Sequence, residues 1–164
     1  MGGVISHNES LIAIMAYTRY EISNSRDIIS DPLVLEFIDK VSGHKYFDFE
    51  DLTQKKYIKY WPHISIHRYE NEDFTYVFYG SQLVNHIGEE RTGYKISELP
   101  NYKHKERFFN ALLEVLNTKK PTYGIGNVYT PGKEFKIWQQ VKIPLQRNGE
   151  VNEVLSFFSF SNQT

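Results

Sequence analysis

The chain reads as an α+β domain, a five-stranded antiparallel sheet with flanking helices and an N-terminal helical extension, and three observations lead there. The apolar period changes from that of a helix to two at residue 64. The segments that then alternate are joined by turns too short for parallel crossovers, which excludes a doubly wound βαβ fold. Asn148-Gly149, between two alternating runs, is the strongest short hairpin signal. The 164 residues suffice for one domain of ordinary size. We place that domain at 31–164, with its sheet over 64–160 and residues 1–30 as the extension.

Each element has a local cause. Asp31 caps a helix with Pro32 at its first position, and Val34, Phe37, Ile38 and Val41 form its apolar stripe before Gly43 stops it. A weaker helix is expected over 51–60, ended at Trp61-Pro62 because the residue before proline leaves the helical region. Ile64 and Ile66 open a first strand, and 74–79 is a run of aromatic and β-branched residues, with a polar turn at 70–73 between them. Ser81 starts a short helix carrying Leu83, Val84 and Ile87, ended by Gly88. Residues 105–119 form a longer amphipathic helix with Phe108, Phe109, Leu112, Val115 and Leu116 on one side. Strands at 121–130, 135–145 and 153–160 follow as a meander, turned by Pro131-Gly132 and Asn148-Gly149.

Composition removes several function classes. The chain has no cysteine, which excludes disulfides, thiolate metal sites, cysteine nucleophiles and cysteinyl cofactor adducts. A net charge of −1 offers no pull toward nucleic acid or anionic membrane. Residues 11–17 lack the basic flank, cleavage pattern and ~20-residue apolar span of a targeting or membrane segment, so a cytoplasmic location is expected. The opening Met1-Gly2-Gly3-Val4-Ile5-Ser6 fits the permissive myristoylation pattern, which we read as chance. The 12 tyrosines, 11 phenylalanines and 2 tryptophans make aromatic area the chief resource for a core or a pocket.

The layout of two strands, a run of helices and a three-stranded meander resembles that of PAS domains, and particular residues carry the likeness. Residues 74–81, Leu83-Val84 and the stretch from Gly88 through Gly93 to Leu99 look like the second strand, first helix and glycine-bracketed loop of that family. Ile143-Pro144-Leu145, Asn148-Gly149 and Val154-Leu155 resemble its last hairpin. More narrowly, the chain is similar to the proteobacterial group of short, stand-alone PAS proteins in which an Asp-Pro helix precedes the sheet. The resemblance covers 31–160. It implies a sensory domain with a pocket between the sheet and the short helices, requiring no cofactor and holding at most a small ligand. It also implies output through protein contacts, since no effector segment fits in the remaining residues: a homodimer formed by the N-terminal segment, and a separate signalling protein. Flavin and coumarate photoreceptors of the family need a cysteine adduct, which this chain cannot form.

The chemistry-bearing residues have ordinary structural roles as well as functional ones. His7, His44, His63, His67, His86 and His104 show no metal-ligand spacing on one helical face, and His63 with His67 straddle a strand start. Haem would need an axial histidine at His86 or His104, for which surface or capping roles are the better expectation. Gln139 alternates with Ile137 and Val141, which places an amide on the apolar face, where it needs a partner or serves as one orienting contact in a pocket. Tyr76, Phe78, His86, Tyr123, Tyr129, Gln139 and Phe158 are the expected pocket residues. Trp138 alternates with Lys136, Gln140 and Lys142 and is expected partly exposed. Asp48, Glu50 and Asp51 read as helix-start charges. Gly124-Ile125-Gly126 lacks the helix of a dinucleotide fingerprint and reads as a bulge or a close backbone approach.

The leading expectation is a PAS-type sensory or interaction domain without catalysis of its own. The alternative is an isomerase or dehydratase on a cone-like α+β barrel. Such barrels begin with their long helices and need a buried His or Asp pair, whereas here the longest helix falls between the second and third strands.

Overall fold

The computed structural model describes residues 19–100 and 104–162. Among them are seven strands: β1 (Tyr20–Ser23), β2 (Phe47–Asp48), β3 (Ile64–Glu70), β4 (Asp73–Tyr79), β5 (Thr122–Asn127), β6 (Lys136–Arg147) and β7 (Glu150–Asn162). The helices are α1 (Pro32–Val41), α2 (Phe49–Leu52), α3 (Ser81–Ile87) and α4 (Lys105–Thr118), with 3-10 segments at Arg26–Ile28, Lys55–His63 and Ile96–Glu98. No helix of the described residues is long and apolar enough to cross a membrane.

The sheet order is β1-β5-β6-β7-β3-β4, antiparallel throughout, and β2 adds two residues parallel to β6. The hairpin β3-β4 and the meander β5-β6-β7 are thus one sheet, joined where β3 lies against β7. Turn chemistry fixes the hairpins. Asn148 and Gly149 both have positive φ, 53° and 79°, the primed geometry whose twist matches the flanking strands.

Both faces are covered. On one, the stripe of α1 joins Leu52, Tyr57 and Tyr60 over Ile64, Ile66, Val141, Leu155 and Phe157, where Phe37 stacks on Phe157 with ring centroids 4.4 Å apart. On the other, Leu83, Ile96, Leu99, Leu112, Val115 and Leu116 pack over Phe74, Tyr76, Trp138, Val154 and Phe158.

Three expectations are corrected. The sheet has seven strands, not five, because two short segments add to it. Residues 19–30 are a strand and a 3-10 turn, not a helical extension: β1 pairs with β5, and Arg19 exchanges backbone hydrogen bonds with the Asn127 side chain and N–H. Residues 1–18, with the myristoylation pattern, His7 and the expected dimer segment, lie outside the described residues. The helix expected over 51–60 is instead α2 followed by the 3-10 segment Lys55–His63, which runs through Pro62. Gln54 is extended and interrupts it, and the Trp61 indole then fastens the segment by donating to the Leu52 carbonyl at 2.9 Å.

Candidate functional site

Between the sheet and the layer made by α3, α4 and the segments flanking them lies a cavity of about 600 Å³. Its walls are apolar, with Leu83 and Ile87 from α3, Phe108 from α4, Leu99, Val128, Trp138 and Phe158. That size and character suit a small organic ligand.

Its floor is polar, and strand register explains why. Across four strands, Tyr79, Ser65, Ser156 and Lys142 are successive partners, so their side chains share one face in one row. The next row over holds Tyr76 opposite His67. A bulge between Ile66 and His67 makes this possible. It shifts the alternation of β4, so that Tyr76 and Tyr79, three residues apart, face the same side.

Three of these groups, His67, Tyr79 and Ser156, lack the partners that buried polar atoms normally have. His67 is 0% exposed and neither ring nitrogen has a hydrogen-bond partner. The Tyr79 hydroxyl and Ser156 Oγ are equally without one. Lys142 is 2% exposed. Its ammonium donates to Gln140 Oε1 at 2.5 Å and lies 5.5 Å from the ring centroids of both Phe108 and Phe158. Burial pushes Lys142 down to about 7. Burial, reinforced by the charges of Lys142 and Arg91, holds His67 well below the ordinary imidazole value. Burial raises the phenols of Tyr76 and Tyr79, with Arg91 opposing.

Charged side chains ring the mouth. Arg91 donates to the Tyr76 hydroxyl at 3.2 Å and pairs with exposed Glu89 at 3.3 Å. Arg107 of α4 lies 3.7 Å from the Tyr20 ring centroid and donates to the Tyr129 hydroxyl at 2.6 Å, while the His104 ring stacks on Tyr129.

The chain matches no family model and no curated protein.

Of the expected pocket residues, the cavity brings together Tyr76, Tyr129 and Phe158. The others are placed elsewhere. Phe78 falls on the α1 face because of the bulge, and Tyr123 packs with Val141 on that same face. Gln139 is also there: its Oε1 accepts from the backbone N–H groups of Ser30 and Asp31 at 2.8 and 2.9 Å, and its Nε2 donates to Ser30 Oγ. Its role is to dock the start of α1. His86 stacks on Phe160 with centroids 4.4 Å apart and lies 3.1 Å from Lys136 Nζ, beside the cavity rather than lining it. Burial, with Lys136 and Lys133 nearby, lowers its pKa.

Trp138, expected partly exposed, is buried and lines the cavity, as do Gln140 and Lys142. Sequence reasoning missed these three, together with His67, Tyr79 and Arg91. The polar alternation Lys136, Trp138, Gln140, Lys142 reads as a solvated face, whereas it is the floor of a cavity. One signal pointed here: Gly124 and Gly126 sit opposite Gln140 and Trp138. A Cβ on Gly126 would overlap the Trp138 ring, so the glycine pair marks the close approach expected of it. Asp48 caps α2, with Glu50 and Asp51 in its first turn, as helix-start charges. Among the described residues no cluster of His, Asp and Glu is arranged to hold a metal ion.

Proposed function

We propose that this chain is a PAS-type sensory domain, one that holds a small ligand in the cavity between sheet and helices and signals its presence through protein contacts, without chemistry of its own. The observation that carries the reading is the cavity floor. A room of about 600 Å³ with apolar walls ends on buried polar atoms of His67 and Tyr79 that no protein group satisfies. Leaving such atoms unpaired is costly, and a bound molecule removes that cost. The order of elements and the joining of a hairpin to a meander through β3 and β7 support the PAS resemblance.

Output, on this reading, passes to a second copy of the chain and to a separate signalling protein, with neither nucleic acid nor membrane involved. The mouth residues Arg107, Tyr129 and Tyr20 connect the cavity to the sheet edge at β1, which gives occupancy a route to the surface.

A second reading, a small-molecule isomerase or dehydratase, draws on His67, a buried neutral imidazole with neither ring nitrogen engaged. The two part on one experiment. Native mass spectrometry of protein purified from cells, beside its denatured mass and absorption spectrum, should show a bound small mass that is absent from Leu83→Trp, which fills the cavity. A recovered ligand that comes back chemically unchanged and undeuterated after incubation in heavy water supports a sensor. Exchange of a carbon-bound hydrogen, abolished in His67→Gln, would replace the sensor by the isomerase. A bare mass, with no small molecule bound on screening, would remove both.

A further inference from the structure

We infer that the molecule this cavity takes is an apolar monocarboxylic acid, its carboxylate set against Lys142 on the floor and its body lying along Leu83, Phe108, Trp138 and Phe158. The inference rests on reading the cavity as a ligand site and specifies what that site selects.

Four observations converge on it. First, Lys142 is the only lysine or arginine among the described residues to be buried, and its hydrogen bond goes to the neutral amide of Gln140 rather than to a carboxylate. A buried ammonium without a counter-ion favours an anion beside it, because the cost of removing a charge from water is offset when it is paired with its opposite. Second, the unpartnered groups around it are neutral donors: the hydroxyls of Tyr79 and Ser156, and whichever His67 nitrogen carries its proton. A carboxylate is acceptor-only and offers about four lone-pair positions, which matches such a set together with the Lys142 ammonium, whereas a ligand ammonium would be set against the like charge of Lys142. Third, the carboxylates that line the cavity, Glu89 and Glu134, are exposed at its mouth, so none competes for Lys142 on the floor. Fourth, the walls are hydrocarbon and aromatic. A sugar acid or a di-acid would bury further polar groups against them, and a dianionic phosphate would find a single buried cation. One charged head on an apolar body is what the arrangement accommodates.

The test sets each acid beside its own primary amide, which keeps the shape and removes the charge. Full-length protein is titrated with hexanoate, decanoate, 4-phenylbutyrate and indole-3-acetate, and with the four matching amides. Binding is followed by calorimetry and, for the three acids without an indole, by the fluorescence of Trp138, which lies in the wall. At least one acid is expected to bind saturably and at least tenfold tighter than its amide. In Lys142→Met, of similar length and no charge, that acid-to-amide ratio should collapse to within about twofold while the amide's own affinity is kept. Tyr79→Phe should reduce the ratio in part. The acid-to-amide ratio in the wild-type protein needs no variant to fold, so it decides even if Lys142→Met does not. Amides binding as tightly as acids, or a ratio that survives in a folded Lys142→Met, overturns the inference. So does silence of the whole panel. If the panel is silent but native mass spectrometry shows a non-acidic molecule bound, only the acid fails and the sensor cavity stands; if the protein is also bare, both fall.

Discussion

Lys142 is a buried residue that the fold holds at a cost. Burial moves its ammonium from the usual lysine range down to about 7, so the empty protein must either desolvate a charge or give up a proton. The unfolded chain therefore binds more protons than the folded one between pH 7 and about 10.5, and linkage makes stability rise with pH across that window. Lys142→Met removes both the charge and the slope. We expect it to unfold at least 1 kcal/mol harder than the wild type at pH 7, about 2–4 °C in midpoint, and to show a flatter stability profile up to pH 10. Thermal unfolding of the ligand-free proteins at pH 7 and 9 checks this, and a variant less stable than wild type at pH 7 contradicts it. The same residue explains why the site was hard to read in the sequence. A lysine two residues from a glutamine and four from a tryptophan looks like solvated alternation, and nothing local to β6 says that a second layer of helices closes over it. Phe78 misled in a similar way, since strict alternation from Tyr76 puts it in the pocket. The bulge between Ile66 and His67 exchanges it for Tyr79, and a bulge of this kind leaves no mark in residue type.

At the level of elements the sequence was more legible, because turns and caps are written locally. The Asp31-Pro32 cap, the two amphipathic helices, the hairpin at Asn148-Gly149 and the turn at Pro131-Gly132 all form, the last closed by Lys133 donating its N–H to the Thr130 carbonyl at 2.9 Å. What escaped were short elements whose partners are distant: β1 and β2 become strands only because β5 and β6 present free edges to them. The turn between β3 and β4 is suboptimal. Asn71 and Glu72 both adopt positive φ, 53° and 62°, and the second is a conformation that costs a glutamate roughly 1–2 kcal/mol. Glu72→Gly makes this the preferred Asn-Gly pair, and a gain of about 0.5–1 kcal/mol is expected in urea unfolding; a loss would mean that the Glu72 side chain supports the turn in some other way. Gly126→Ala tests the wall of the cavity that Trp138 forms. Its Cβ would meet the Trp138 ring on one side and the Arg19 carbonyl, 2.9 Å away, on the other. The ring must rotate into the cavity, so roughly 1–3 kcal/mol of stability should be lost together with a shift in tryptophan emission. Lost stability with an unchanged spectrum would place the strain on β1 instead.

For the whole molecule, the two faces of the sheet divide the labour. The α1 face is a closed aromatic core that anchors the strands, and the other face trades packing for a cavity, so a ligand bound as proposed would be coupled to the fold through the same floor residues. The groups facing Lys142 decide how that coupling depends on pH: His67 from β3, Tyr76 and Tyr79 from β4, Arg91 and Glu89 from the loop after α3, Phe108 and Arg107 from α4, and Ser156 from β7. Burial keeps His67 neutral and both tyrosines protonated well past neutrality, so of these groups it is Lys142, at about 7, that loses its charge as pH rises from 7 to 9. A bound carboxylate needs the charged lysine. Its affinity should therefore fall by up to tenfold per pH unit above about 7, until the pKa that the bound acid itself restores to Lys142 is reached. At a hundred times its Kd near pH 7, an acid ligand adds about 2.7 kcal/mol, roughly 5–10 °C in midpoint for a chain of this length. The ligand-free protein and its acid complex should thus respond in opposite senses: from pH 7 to 9 the free midpoint climbs while the acid-induced shift shrinks toward zero. The shift given by the matching amide should stay level across the same range. Differential scanning fluorimetry at fixed ligand and stepped pH reads all three lines at once, and an acid shift that holds steady to pH 9 would assign the carboxylate's counter-charge to Arg91 or Arg107 at the mouth instead of Lys142.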